Sequence, residues 1–303
     1  MTLTVRDFRP SDVEAASAAV RAGVPHLAIG RPEMFLWLVE NAPAAQRLRA
    51  FVAELDGQVV GVVRANLHNE TSEPGQASAN LTVHPDHRGK GAGTALITRA
   101  EEYLREIGAT QMYSWAVDEP RALAFAERHG FRLGSAATFQ RLDLTGELPA
   151  IPATPDGISL ATAADYADDP RPVYDVDVEA TLDEPSDVDA VSYSDWLAMH
   201  WERPDLDREL SVLAVADGVI VAFTSAMTDG RTRYFSGMTG SRRAVRGQGL
   251  AKLVKAHSLH RARAAGYTEA FTGNDLTNQP MLAINRWFGY QPAQGERRAI
   301  RDL

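Results

Sequence analysis

A six-residue phrase that occurs twice constrains this chain more than any other feature. The copies are Arg88–Gly93 and Arg246–Ala251, and both read Arg-x-x-Gly-x followed by Gly or Ala. Each copy follows a strand-like run and begins an amphipathic helical stretch, an arrangement that directs backbone N–H groups toward an anion. Two copies predict either two phosphate-bearing ligands, or one ligand and one segment that has lost its ligand.

The repeat extends well beyond this phrase. Three pairs of landmarks occur in the same order at separations of 158, 161 and 159 positions: Arg88 and Arg246, Asp56 and Asp217, and Gly130 and Gly289. Such a spacing indicates duplication of a whole domain, because solenoid repeats have periods of about 20–50 residues. We therefore expect two tandem domains, residues 1–147 and 158–303, joined by an extended, proline-rich linker at 148–157.

Both halves show the same order of predicted elements. In the first half, a strand at 77–83 leads into the phrase, an amphipathic helix follows it, and a strand at 111–117 and a short helix at 120–128 come next. Hairpins at 51–66 and 211–227 close on Asp-Gly turns. This order predicts an α/β (α+β) fold in which each domain has a central mixed β-sheet flanked by helices.

Composition excludes several classes of function. The net charge of −9 disfavours a nucleic-acid surface, because phosphate contacts depend on lysine and arginine. The chain has no cysteine, so disulfides, thiolate metal sites and cysteine nucleophiles are excluded. No apolar run reaches the length of a membrane span and no signal peptide is recognisable. We therefore expect a cytoplasmic protein, monomeric or homodimeric, with no membrane or nucleic-acid partner.

A metal site is not expected either. The histidine pairs at 84 and 87 and at 257 and 260 have no further ligands at zinc-like spacing. Loop and helix-surface roles are the simpler interpretation of these four side chains.

The repeated phrase fits neither of two common phosphate-binding loops. A dinucleotide fingerprint needs a third glycine where the chain has Thr94 and Lys252, and a P-loop needs Ser or Thr after Lys90. The segment VHPDHRGKGAGTAL, residues 83–96, instead resembles the acetyl-CoA motif of the Gcn5-related N-acetyltransferase (GNAT) family. Residues 240–252 match the same motif without its proline, and the similarity continues through the following helix and strand in both halves.

The resemblance implies acetyl-CoA as co-substrate and a set of residues that hold it. Coenzyme A carries a pyrophosphate, which the N–H groups at a helix N-terminus favour, and glycine or alanine there allows close approach of the backbone. In this family the thioester binds the strand before the loop, where two parallel strands diverge. The implied coenzyme-binding residues are Leu81, Thr82, Val83, Arg88, Gly89, Lys90, Gly91, Ala92, Gly93 and Thr94 in the first half, and Thr239, Gly240, Ser241, Arg246, Gly247, Gln248, Gly249, Leu250, Ala251, Lys252, Asn274 and Asn278 in the second.

The catalytic residues are less directly implied, because the chain departs from the family pattern. Many relatives have a tyrosine as general acid five residues before the Gly-Phe aromatic, whereas Ala126 and Asn285 occupy those positions here. The second half has asparagines at 274, 278 and 285, which resembles a branch of the family whose asparagines contact the pantetheine arm. Capping and turn formation are the alternative. We expect the second domain to be catalytic through Asn278 and Asn285, and the first to be catalytically degenerate.

A general base is expected in the acidic run from Asp165 to Asp189. Asp183 is the first candidate, with Glu179 and Asp177 behind it. A solvated loop is the alternative interpretation of this run.

Together these features predict transfer of acetyl from acetyl-CoA to a primary amine of a small molecule, by direct attack and without a covalent enzyme intermediate. Two alternatives remain open: a non-catalytic acyl-CoA-binding sensor or scaffold, and acetylation of a protein or peptide amine.

Overall fold

Strands and helices alternate along the computed structural model, which describes residues 2–27, 31–68, 73–182 and 191–303. The first half contains β1 (Leu3–Asp7), α1 (Val13–Gly23), α2 (Pro32–Glu40), β2 (Arg49–Leu55), β3 (Gln58–Leu67), β4 (Gln76–Val83), α3 (Ala92–Glu106), β5 (Gln111–Val117), α4 (Pro120–Arg128) and β6 (Arg132–Asp143). The second half contains β7 (Ile158–Thr162), α5 (Arg171–Thr181), α6 (Tyr193–Trp196), β8 (Val212–Ala216), β9 (Val219–Thr228), β10 (Arg233–Ser241), α7 (Leu250–Ala264), β11 (Glu269–Asp275), α8 (Gln279–Phe288) and β12 (Gln291–Asp302). Helix α6 continues as a π-helical turn, Leu197–Trp201.

These elements form two compact units. The first comprises the chain up to Ala137 together with Gln294–Leu303, and the second comprises Thr138–Ala293. Strands β6 and β12 cross these limits: residues 138–143 of β6 lie in the second unit, and residues 294–302 of β12 lie in the first. The halves of the repeat thus exchange their last strands, so the compact units differ from the linear division at 148–157.

The segment proposed as a linker, residues 148–157, contains no helix or strand. It is nevertheless attached to the second unit. Leu148 is buried in the core of that unit, and the carbonyl oxygen of Pro149 lies 2.9 Å from Nε2 of His260.

In the first unit the strand order is β1-β2-β3-β4-β5-β12. Strands β1 to β4 are antiparallel neighbours, and β4 and β5 are parallel. Because successive strand residues point to opposite faces, β2 is buried on both sides: Phe51 and Ala53 pack in the cluster that includes α3, and Val52 packs with Ala16 of α1. The sheet therefore positions the N-terminus of α3 at the end of β4.

The second unit repeats this plan with the strand order β6-β11-β10-β9-β8-β7. Strands β7 to β10 are antiparallel neighbours and β10 and β11 are parallel. Leu213 and Phe223 pack in the cluster formed with α5, whereas Val212 and Ala222 pack in the cluster formed with α7. The N-terminus of α7 accordingly lies at the end of β10.

The predicted fold class, a mixed sheet flanked by helices in two tandem units, is confirmed. The interpretation of the acidic run as a solvated loop is wrong for part of that run, since Arg171–Thr181 is helical. Val173, Val176 and Ala180 recur at helical spacing and are buried, but the intervening acidic residues conceal this periodicity in the sequence. Within the described ranges, no helix combines the length and the apolar character needed to cross a bilayer.

Candidate active site

Both copies of the repeated phrase form a turn that ends in a helix. Gly89 and Gly91 have φ angles of +83° and +88°, and Gly247 and Gly249 both have +79°, a region in which a side chain is strained. Gly91 and Gly249 are the N-cap residues of α3 and α7, so no capping side chain covers the first N–H groups of these helices. At Gly247 and Gly249 an added Cβ would meet no atom within 4 Å. The second cradle is therefore open to an anion.

The arginines of the two phrases contact the strand that precedes each loop. Arg88 donates from Nε to the carbonyl oxygen of Val83 at 3.2 Å and from Nη2 to that of Gly23 at 3.4 Å. Arg246 donates from Nε to the carbonyl oxygen of Ser241 at 3.5 Å. These contacts support a role for both arginines in bracing the loop against the strand.

The strands before the loops differ. In the first unit β4 pairs with β3 without interruption from Ala77 to Val83. In the second unit the register of β10 against β9 shifts between Ser236 and Thr239, so Gly237 and Met238 lie opposite the single residue Ser225. This is a β-bulge, a feature that leaves backbone groups outside the ladder and redirects the strand.

A cavity of about 250 Å³ lies beside this bulge. The parallel pairing of β10 with β11 ends at Phe235 and Phe271, and the cavity begins where the two strands separate. Its walls are Phe235–Thr239 of β10, Thr272–Asn274 of β11, Lys255 of α7 and Met281 of α8. The strand backbone that the bulge displaces from the ladder and the buried Lys255 thus border the same space.

Lys255 belongs to a buried network of amides. Lys255 is 1% exposed, and its Nζ donates a hydrogen bond to Oδ1 of Asn285 at 2.7 Å. Nδ2 of Asn285 donates to Oε1 of Gln140 at 2.8 Å and to Oδ1 of Asn274 at 2.7 Å. These donors and acceptors fix the position of Nζ at the cavity wall.

Burial sets the protonation behaviour of this network. It lowers the pKa of Lys255 from 10.5 to about 7, because the ammonium loses its hydration and gains only an amide partner. The ring of Tyr290 lies 5.2 Å from Nζ, and burial raises the pKa of that phenol. Lysine therefore exchanges its proton near neutral pH in this site, and tyrosine does not.

The corresponding positions of the first unit are apolar. At the offset of the repeat, Lys255 corresponds to Ile97, Asn285 to Ala126 and Tyr290 to Phe131. All three apolar residues are buried in the core of the first unit. In addition, Phe125 of α4 packs 3.2 Å from the position that a Cβ on Gly93 would take. The first unit keeps the loop but lacks the polar interior.

The structure brings some of the predicted site residues together. Thr239 and Asn274 line the cavity, and Gly240 and Ser241 follow at the end of β10, as Leu81, Thr82 and Val83 do at the end of β4. Asn285 is fully buried and lies one contact behind the cavity, through Lys255 and Asn274. Its amide holds Lys255, Gln140 and Asn274 in place through hydrogen bonds.

Asn278 caps helix α8. Its Oδ1 accepts a hydrogen bond from the backbone N–H of Met281 at 3.2 Å. This is the capping role that the sequence left open as an alternative, and any role in catalysis stays a prediction.

Of the predicted general bases, Glu179 and Asp177 do not line the cavity. Asp183 lies outside the described residues. Glu179 accepts from Nη1 of Arg242 at 2.6 Å and from the N–H of Arg243 at 2.9 Å, and Asp177 accepts from Nε1 of Trp196 at 2.6 Å. These two carboxylates join α5 to neighbouring elements.

Three features of the site were not predicted: Lys255, Gln140 and the bulge in β10. The sequence does contain a signal for Lys255. It lies on the same stripe of α7 as the buried Leu259 and Ala262, at i+4 and i+7. The bulge and the contact of Gln140 depend on pairing between distant segments, so no local pattern marks them. Among the described residues, no cluster of three or more His, Asp or Glu side chains could hold a metal ion.

Comparison with known proteins agrees with this geometry. Residues 21–131 match the Acetyltransferase (GNAT) family. The mycothiol acetyltransferase of Nocardioides sp. is 26% identical over 234 residues, which cover 73% of this chain and 78% of that protein. The mycothiol acetyltransferase of Nocardia farcinica is 38% identical over 123 residues, but the match spans only 40% of this chain and 38% of that protein.

Two solved structures share the whole architecture. A tandem GNAT protein from the clavulanic acid biosynthesis pathway has a TM-score of 0.77 at 24% identity and covers 99% of this chain and 98% of its own. A GCN5-related N-acetyltransferase from Sphaerobacter thermophilus has a TM-score of 0.72 at 24% identity, and the match covers 99% of this chain and 95% of that protein. At this identity the two structures establish the fold. The GNAT family match, which spans residues 21–131, agrees with this fold over most of the first half of the chain.

Proposed function

We propose that this protein transfers an acetyl group from acetyl-CoA to a primary amine of a small molecule, and that the second unit carries out the reaction. The observation that supports this assignment is the cavity between β10 and β11, which a strand bulge and a buried lysine border, in a unit whose glycine loop is also open. The first unit has the loop without the other two features.

The chain's own residues fit such a co-substrate. The N–H groups at the start of α7 and the loop from Arg246 to Gly249 would hold the pyrophosphate, since a helix N-terminus favours an anion. The backbone of Gly237 and Met238, which the bulge releases from regular pairing, would receive the thioester carbonyl. Asn274 and Met281 would border the pantetheine arm. Acetyl-CoA supplies an activated carbonyl that an amine attacks directly.

The first unit is proposed to bind coenzyme A without chemistry. Its loop keeps Arg88 and two left-handed glycines, so an anion cradle is still available. However, β4 is regularly paired and Ile97, Ala126 and Phe131 fill the interior. A small-molecule acceptor is proposed because relatives at 26% and 38% identity are named mycothiol acetyltransferases.

Turnover and site counting test this proposal. Acetyl-CoA is incubated with ethanolamine, glycine, lysine and glucosamine in separate reactions, and released thiol is measured. The chain has no cysteine, so the thiol signal comes from coenzyme A alone. Calorimetric titration with acetyl-CoA counts the sites per chain. We expect thiol release with at least one amine; binding without release from any of them contradicts the proposal.

A matched pair of variants assigns the reaction to a unit. Gly249→Trp forces a side chain into a left-handed position at the second cradle, and Gly91→Trp does the same at the first. We expect turnover to fall at least about 100-fold in Gly249→Trp, with one binding site kept. Gly91→Trp should retain turnover. The reverse result would move catalysis to the first unit.

A further inference from the structure

Lys255 is the wall residue of the cavity whose side chain can release a proton near neutral pH. The remaining described wall residues are apolar, hydroxyl or amide side chains and glycines, none of which is acidic at that pH. Asn285, which contacts Lys255, is an amide and has no acidic proton either. A proton donated inside this cavity therefore comes from Lys255 or from water.

The cavity also lacks a counter-charge for this side chain. Nζ of Lys255 has the amide oxygen of Asn285 as its hydrogen-bond partner and forms no ion pair with a described carboxylate. A buried cation without an anionic partner is costly, so an anion that develops beside it is stabilised. The Oγ of Ser236, a buried wall residue, makes no hydrogen bond of good geometry within the described chain. Nζ of Lys255 and Oγ of Ser236 can therefore both form hydrogen bonds with a ligand in the cavity.

We propose that Lys255 protonates the thiolate of coenzyme A as it leaves during acetyl transfer in this cavity. This inference rests on the function proposed above. It assigns the acid role to α7, at a site where the amide Asn285 cannot fill it.

The amine nitrogen forms a bond to the thioester carbonyl carbon, and the C–S bond breaks with its electron pair on sulfur. The ammonium of Lys255 gives one proton to that sulfur and becomes a neutral amine. The attacking nitrogen loses one proton to water, and Lys255 regains one from solvent. The products are the acetamide and the free thiol.

The acidity of the lysine suits this transfer. Its pKa of about 7 lies below that of an ordinary thiol, about 8.5, so the proton moves to sulfur with a modest driving force. Among the titratable groups nearby, Tyr290 and Tyr234 both have raised pKa values, the latter about 12, and both stay neutral at working pH. His257 lies two positions along α7 and faces away from Lys255. Titration at this wall near pH 7 therefore belongs to Lys255.

The first test is Lys255→Met, with Arg263→Met on the exposed end of the same helix as control. An apolar side chain is compatible with this position, since Ile97 occupies the corresponding one in the first unit. We expect kcat to fall about 10²–10⁴-fold in Lys255→Met, with the KM for acetyl-CoA little changed. The control should match the wild type. An unchanged kcat, or a rise in KM alone, overturns the inference.

Replacing the leaving group separates proton donation from a structural role. In acetyl-seleno-coenzyme A, selenium replaces the reacting sulfur, and a selenolate leaves more readily without a proton. We expect the deficit of Lys255→Met to shrink to within about tenfold with this substrate, because protonation is no longer limiting. Equal deficits with sulfur and selenium would identify Lys255 as a structural residue and overturn the inference.

The wild-type protein gives a test that needs no variant. With one amine at saturation, the thioester reaction should lose rate as pH rises through about 7, where Lys255 loses its proton, and the selenoester reaction should not. The same descending limb with both esters overturns the inference. Failure of the wild type to release thiol with any amine overturns the proposed function itself, so the two failures are distinct.

Discussion

The interiors beneath α3 and α7 share one architecture and differ in chemistry. Beneath α3, Ile97, Ala126 and Phe131 form continuous apolar packing. Beneath α7, the corresponding residues are Lys255, Asn285 and Tyr290, and a cavity of about 250 Å³ opens beside Lys255. Buried apolar side chains each contribute roughly 1.5–3 kcal/mol, whereas an unpaired buried cation is unfavourable. The packing beneath α3 therefore favours stability, whereas the buried lysine and the cavity beneath α7 reduce it.

The bulge in β10 adds to this contrast. In the first unit, β4 keeps its register to Val83, so its backbone is fully engaged with β3. In the second unit, Gly237 and Met238 are displaced from the ladder next to the cavity. The glycine loop occurs in both units, whereas the bulged strand and the Lys255–Asn285 contact are found in the second.

The largest effect is expected from Ile97→Lys, which places a cation in the apolar interior of the first unit. The described residues of the core cluster around Ile97 are apolar and offer no amide network to receive it, so stability should fall by about 3–5 kcal/mol. Urea unfolding monitored by near-ultraviolet circular dichroism measures the loss, with Ile97→Met as control. A cost below about 1 kcal/mol would mean that both interiors accept a cation, and the contrast would not hold.

The pH dependence of stability should differ between the units. The folded pKa of Lys255 is about 7 and the unfolded value is 10.5, so between these limits the unfolded state binds more protons. Stability of the second unit therefore rises with pH across that window, by on the order of a few kcal/mol, and the contribution is constant below about 7. Urea unfolding of wild type and Lys255→Met at pH 6.5, 8 and 9.5 measures it. A wild-type profile parallel to that of the variant contradicts this expectation.

Gly237→Ala tests the bulge. A Cβ at this position would lie 2.6 Å from Oγ of Ser225 and 2.8 Å from Cε of Met227, so the strand must shift. We expect turnover to fall about tenfold and stability to fall by about 1–2 kcal/mol. The matched control is Ala79→Gly, because Ala79 is the corresponding residue of the regular strand; it should cost about 0.5–1 kcal/mol and leave turnover intact. Unchanged turnover in Gly237→Ala would separate the bulge from catalysis.

Asn278→Ala should have the smallest effect. Loss of the cap on α8 costs about 1 kcal/mol, and Asn278→Ser should restore it. Thermal unfolding and steady-state kinetics on both variants distinguish capping from catalysis. If turnover falls with both while Asn278→Ser is as stable as the wild type, Asn278 acts in the reaction as the sequence suggested.

Much of the architecture was predictable because its signals are local. Strand β5 at Gln111–Val117 and helix α4 at Pro120–Arg128 were predicted at their observed limits, and the Asp-Gly turns located both hairpins. Helix α5 was missed because acidic residues separate its buried Val173, Val176 and Ala180. The two glycine loops were found because a left-handed turn before a helix requires glycine, which leaves a visible pattern.

The candidate site was only partly predictable. Asn274 and Thr239 were named, and both line the cavity. Asn278 was named for a role in chemistry, whereas in the structure its side chain caps a helix. Lys255 could have been identified by aligning the two halves, since a lysine there replaces the isoleucine of the first half. Its place on the buried stripe of α7 is a second signal, whereas its contact with Asn285 depends on the packing of α7 against α8.

By itself, the sequence determined the duplication, the fold class and the two glycine turns before helices, because each leaves a pattern in the residues of the chain. Tertiary structure alone decided which strands are exchanged, where β10 bulges and how Gln140, Lys255, Asn274 and Asn285 meet. These four residues come from four separate elements, and only the packed sheet brings them within hydrogen-bond distance. The pKa of the lysine follows from that packing, because desolvation acts on a side chain only once the core has closed around it.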